Sequence, residues 1–298
     1  MVVPSDRAQY PGGVCSRCVP LRPIPPLGRW SVGALTLGPL VLSLDRAYAA
    51  LGFVVLIVVA EIWARRGRPE VAGWAWVVAM VTFVGARLGF VLGNLGDYAA
   101  APWTALAFWQ GGFAPWWGVA AGAAYGAVAA LRRPTLRRAA PALGAAALIA
   151  WWLPAGLLSP AAGDLGVTVP SLTLPALDGA PVDLAATGEP TIVNVWATWC
   201  PPCRRELPLL VTAARESPGV RVLLVNQREA EDTVRAYLAG QGLPQDGVLL
   251  DRAGAVGREL NVAGLPTTFA FDARGQLVDV HVGEISAAAL RGLIEQSR

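Results

Sequence analysis

At 298 residues the chain has room for about two domains. Its hydrophobic fraction of 54% and mean hydropathy of +0.47 are too high for an ordinary soluble chain, so membrane spans become the first expectation. The net charge of +3 gives no footing for a nucleic-acid partner.

Residues 1–30 are rich in Pro and Arg and show no period. They lack the charged start, apolar centre and cleavage site of a signal peptide, and read either as a leader or as sequence upstream of a start near Ser31. Four apolar stretches follow, at 47–63, 71–93, 116–131 and 139–158. Each is near the ~20 residues that cross a bilayer. Arg65, Arg66 and Arg68 follow the first, and "RRPTLRR" (132–138) follows the third. Loop 94–115 and segment 159–190 carry no basic residue. The positive-inside rule then puts the two Arg-rich loops in the cytoplasm and both chain ends outside. Arg7, Arg17, Arg22, Arg29 and Arg46 stand against that orientation. A further span at 31–44 would answer them, but that run is short and holds Pro39.

The expectation is an N-terminal all-α membrane domain of about four transmembrane helices over 31–158. Residues 159–190 hold a Pro/Gly-rich linker, 159–183, and the start of an α/β domain that spans 168–298, with a hairpin expected at Asp178-Gly179. Strands are predicted at 191–197, 220–226, 248–251, 267–272 and 276–282. Helices are predicted at 204–216 and 229–241, with a last one after Ser286 as its cap. Alternating strands and helices ending in a hairpin and a helix give a central sheet covered on both faces.

The chemistry-bearing residues are cysteines. Four occur, as two C-x-x-C pairs: Cys15/Cys18 in the leader and Cys200/Cys203 in "VWATWCPPCRRELP". Zinc at the second pair would need two more soft or imidazole ligands, and the only His is His281, so neither a metal nor any other cofactor is expected. A structural disulfide closing so short a loop removes little chain entropy. Redox exchange fits the surroundings. Cys200 ends a strand and opens a helix, where the dipole and unpaired N–H groups favour a thiolate, and Cys203 lies one turn further on. Pro201 and Pro202 suit the first helical turn, yet remove two N–H donors from it.

The segment "NVWATWCPPCRRELP" resembles the active-site segment of the membrane-tethered TlpA-like disulfide reductases of the thioredoxin fold. The resemblance extends over about 168–298 and includes "GLPTTFAFDARGQLV". It implies that Pro266 is a cis-proline facing the cysteines and that the backbone at Leu265 and Pro266 receives an extended substrate. Trp196 reads as core packing and Trp199 as packing at the rim, where it would touch the substrate. Asn194 stands where ordinary thioredoxins carry a buried Asp. Glu206 is the residue that would partly substitute, although it reads more simply as a solvated helix residue. His281 reads as a strand surface residue.

In the membrane half, "LGPLVLSLDRAYAALGF", "VGARLGFVLGN" and "ALAFWQGGFAPWWG" together resemble part of prolipoprotein diacylglyceryl transferase, over about 31–131. That family places a His after its paired glycines; aligning Gly111-Gly112 puts Trp116 there. Arg87 lies inside a span, where an unpaired charge is costly. It reads as a lipid-headgroup site, a partner of Glu61, or a structural residue whose side chain snorkels to the outer interface. No cysteine lies between residues 19 and 199, so thiol relay across the bilayer is not available.

The function expected is that of an inner-membrane, multi-pass thiol-disulfide oxidoreductase. It would reduce extracytoplasmic protein disulfides in the periplasm, fed by a separate membrane electron donor, with membrane lipids around its spans. The alternatives are a transferase-related protein with an accessory redox domain, and a non-catalytic anchored scaffold.

Overall fold

The computed structural model describes residues 34–37, 40–99, 102–158, 166–185 and 188–298. The leader, Cys15 and Cys18 lie outside the described residues. Two short antiparallel strands, β1 (Ala34–Leu37) and β2 (Leu40–Ser43), occupy the place where a further span was weighed. Pro39 between them cannot continue a helix interior.

Four long helices follow: α1 (Leu44–Arg65), α2 (Glu70–Gly93), α4 (Pro115–Arg132) and α5 (Leu136–Leu158). Between α2 and α4 lie the short α3 (Leu95–Ala99) and two 3-10 turns, Pro102–Leu106 and Phe108–Gln110. The contacts run α1–α2, α2–α4, α4–α5 and α5–α1, closing a four-membered ring. Residues 66–69 and 133–135 are connections too short for anything but antiparallel neighbours. Both Arg-rich connections therefore share one end of the bundle. Residues 94–99 and 102–114 and the exit of α5 share the other.

Among the described residues, α1, α2 and α5 are long and apolar enough to cross a membrane. Helix α4 is shorter and diluted by Gly and Trp, and it is held differently. Its buried glycines Gly118, Gly122 and Gly126 form one stripe. A Cβ on Gly122 would stand 2.2 Å from Thr82 Oγ1, and one on Gly118 2.6 Å from Thr82 O. Close backbone approach replaces the hydrophobic drive that lipid does not supply between helices. Val54, Val58, Met80, Leu88 and Ile149 point outward and are exposed, as a lipid-facing surface requires.

The second half opens with the hairpin β3 (Thr173–Pro175) and β4 (Pro181–Asp183), turned at Gly179 with φ +87°. Then come β5 (Thr191–Trp196), α6 (Pro201–Glu216), β6 (Arg221–Gln227), α7 (Glu231–Gln241), β7 (Val248–Asp251), α8 (Ala255–Glu259), β8 (Thr267–Phe271), β9 (Leu277–Val282) and α9 (Ala287–Ser297). The sheet order is β7-β6-β5-β8-β9, with β5, β6 and β7 parallel and β8 and β9 antiparallel. All of β5 is buried, and its side chains alternate between two cores. Ile192 and Trp196 join α6, α7 and α9; Val193 and Val195 join the β3–β4 hairpin and α8. Ser286 caps α9, its Oγ accepting from Ala289 N, as the sequence indicated. This is a thioredoxin-like α/β domain following a helical membrane region, which the short β1–β2 hairpin keeps from being all-α as expected.

Candidate active site

Strand β5 delivers the chain from the core to its edge, and Cys200 becomes the N-cap of α6 in extended backbone (φ −88°, ψ 108°). Its Sγ accepts from Cys203 N at 3.3 Å, and the two cysteines form a disulfide with Cα atoms 5.3 Å apart. Pro201 and Pro202 lack N–H groups, so the first turn offers this sulfur few donors. Cys203 is fully buried and Cys200 nearly so, whereas Trp199 is 67% exposed beside them. The turn is pinned from below by Glu229, which accepts from Thr198 N (2.7 Å), Thr198 Oγ1 (2.5 Å) and Asn226 Nδ2 (2.7 Å).

The Leu265–Pro266 peptide is cis, the geometry the resemblance implied. Thr267 pairs with Val195, so Pro266 stands at the sheet edge from which β5 runs on to Cys200. Leu265 is half-buried against the cysteine-bearing core, and Pro266 O accepts from Gly283 N at 2.9 Å.

Glu206 is not solvated. It is 2% exposed, on the α6 face that also buries Cys203, Leu207 and Leu210. Its Oε1 accepts from Asn194 Nδ2 (2.8 Å) and its Oε2 from Ile285 N (2.9 Å). Burial pushes its carboxyl up to about 7, against the pull of those two hydrogen bonds; nearby Glu284 pushes the same way. The helical spacing 203, 206, 207, 210 carried that signal. Asn194, fully buried, also donates to Thr268 Oγ1 at 3.0 Å, and its Oδ1 has no hydrogen-bond partner. Glu284, which the sequence did not single out, accepts from Arg205 Nε at 2.9 Å, and that bond raises the Arg205 pKa.

Arg87 is 8% exposed and donates from every nitrogen to backbone carbonyls. Nε reaches Ala105 O (2.8 Å), Nη1 reaches Gly111 O (2.5 Å) and Gly112 O (2.8 Å), and Nη2 reaches Thr104 O (3.1 Å) and Ala107 O (3.3 Å). The Tyr98 and Phe113 rings each lie 5.8 Å from its guanidinium carbon. Glu61 instead faces Arg65, at 3.8 Å on the surface. His281 is half-buried against the same segment, and burial lowers its pKa to about 4.

Comparison with known proteins divides the chain in the same order. The Redoxin family model matches residues 164–293, and the prolipoprotein diacylglyceryl transferase model matches 34–160. The thiol:disulfide interchange protein DsbE of Vibrio cholerae is 35% identical over 157 residues, 47% of this chain and 84% of that protein. The chain belongs to the DsbE family of thiol:disulfide interchange proteins. The Escherichia coli K12 member is 33% identical over 126 residues, covering 41% of this chain and 67% of its own. A solved thioredoxin-family thiol:disulfide interchange protein of Chlorobium tepidum is 30% identical, covering 44% of this chain and 96% of that one, with a TM-score of 0.40. The DsbE likeness falls on the half that carries Cys200 and Cys203. The protein is a membrane-anchored thiol-disulfide oxidoreductase with a transferase-like membrane half.

Proposed function

We propose that the protein sits in the inner membrane as a multi-pass protein and reduces disulfides of extracytoplasmic proteins in the periplasm. The observation that carries this reading is the dithiol pair at the start of α6. Cys200 is at the helix N-cap beside exposed Trp199, and Cys203 is sealed beneath it. The Cys200 thiolate attacks a partner disulfide held against the Leu265–Pro266 backbone, and Trp199 contacts that partner. One partner sulfur leaves with the electron pair of the broken bond and takes up a proton. Cys203, its proton taken by the buried Glu206 carboxylate, then attacks the Cys200 sulfur. The partner leaves reduced, and the Cys200–Cys203 disulfide is restored. Pro201 and Pro202 keep the first turn poor in donors, and Asn194 orients Glu206.

Two electrons must then come from a separate membrane donor, because residues 31–158 contain no cysteine. The absence of basic residues from 94–115 and 159–190 supports the periplasmic placement. In the membrane half the guanidinium of Arg87 is engaged by carbonyls and Trp116 stands at the His position, which supports a scaffold rather than a diacylglyceryl transferase. A Cys203→Ala chain expressed in cells should accumulate mixed disulfides with partner proteins, and Cys200→Ala should trap far fewer. Equal trapping by the two would overturn the assignment of roles.

A further inference from the structure

The Arg87 cluster of the membrane half meets Glu284 and His281 of the redox half at one joint. Arg87 gathers the carbonyls of Thr104, Ala105, Ala107, Gly111 and Gly112, and so fixes the fold of the segment at the end of the bundle from which α5 leaves. From that segment Gln110 Nε2 donates to Glu284 Oε1 at 2.8 Å. Gly111, at φ +78°, comes so close that a Cβ would stand 3.3 Å from His281 Cε1 and 2.7 Å from Arg46 Nη2. A second tie lies beside it: Arg291 on α9 donates to Asp97 Oδ1 (2.8 Å) and Asn94 Oδ1 (2.8 Å).

Glu284 is 6% exposed, so the joint is dry at its centre. Its other oxygen holds Arg205, two residues past Cys203, and the next residue, Ile285, donates its N–H to Glu206. Trp199 remains exposed, so the dithiol edge stays open.

We propose that residues 94–99 and 102–112 of the membrane half form a docking platform for the chain's own redox half, seated on the β9–α9 edge through Gln110–Glu284 and Asp97/Asn94–Arg291, and that this seating sets the reactivity of the dithiol through Glu284. Its consequence for reactivity rests on the redox reading; the docking itself does not.

The docking test uses the full chain with Cys15, Cys18, Cys200 and Cys203 all replaced by Ser, so it is blind to any failure of the redox reading. Cysteines are placed at Leu95, next to Asn94 and exposed, and at Glu295, whose carboxylate lies 3.8 Å from the Arg291 guanidinium. A short bis-maleimide is added to the protein in native membranes, and the linker near residue 162 is then cut at an engineered protease site. The two halves should stay joined, whereas a Leu95/Asp232 cysteine pair should not join them. Gln110→Glu, which sets a carboxylate against Glu284, should lower the joined fraction at least fivefold. Arg87→Gln, which releases the platform, should do the same. Equal crosslinking of the two cysteine pairs, or no loss with Gln110→Glu, overturns the docking. In the chain with native cysteines, Gln110→Glu should change the alkylation rate of reduced Cys200 at least twofold. An unchanged rate overturns the coupling to the dithiol.

Discussion

Replacing Glu206 by Gln should change the pH dependence of stability in a way no surface carboxylate would. The folded carboxyl binds its proton more tightly than the unfolded one, with a pKa of about 7 against 4.5. The stability it contributes is complete below pH 4.5 and is lost as pH rises through 7. A gap of about 2.5 in pKa corresponds to about 3 kcal/mol. With the residue 2% exposed, solvent screening removes little of that. The substituted amide can still accept from Ile285 N through its oxygen. Asn194, whose Oδ1 lacks a partner, can turn to meet the new NH2 group, leaving a net loss of about 1 kcal/mol in the exchanged hydrogen bonds. Glu206→Gln should therefore be less stable than the parent by about 1 kcal/mol near pH 4, and more stable by about 2 kcal/mol near pH 8. Hydrogen exchange of the β5 amides, read by mass spectrometry on the oxidised full chain across this range, isolates the opening of the redox half. Parallel stability curves for parent and variant would refute the reasoning.

Trp199→Ala should leave that exchange unchanged, since the side chain is 67% exposed, while slowing reduction of a protein disulfide several-fold in a turnover assay. Gly122→Leu should destabilise the bundle by about 1–3 kcal/mol or more, because Thr82 Oγ1 already stands 2.2 Å from the position of a Cβ. A thermal melt of the detergent-solubilised chain would show this as a lowered Tm, with the Cys200–Cys203 disulfide intact.

Much of the redox half was legible in the sequence because its signals are local. The buried run 191–196, the turn at Gly179 and the cap at Ser286 each announce an element through residues next to one another. The pair Cys200/Cys203 was legible for the same reason. The partners of buried polar groups were not. Glu206 meets Ile285 from 79 positions away, and Gln110 meets Glu284 from 174. Such contacts exist only once the strands are ordered. Arg87 was legible as a costly charge but not as the organiser of a loop, because its acceptors are carbonyls, which every residue type carries equally. Helix α4 was read as an ordinary span from its apolar content, whereas it is the glycine spacing along it that decides how it packs.

The most direct test of the central claim is the equilibrium reduction potential of Cys200–Cys203 in the full chain, measured against glutathione buffers. A dithiol becomes strongly oxidising when its reduced, thiolate form is stabilised. Here two of the first-turn N–H groups are missing at Pro201 and Pro202, and buried Glu206 disfavours a second negative charge nearby. The reductase reading therefore predicts a potential well below about −180 mV, towards the ~−270 mV of thioredoxin. A value near about −120 mV, that of a strong oxidant, would contradict it.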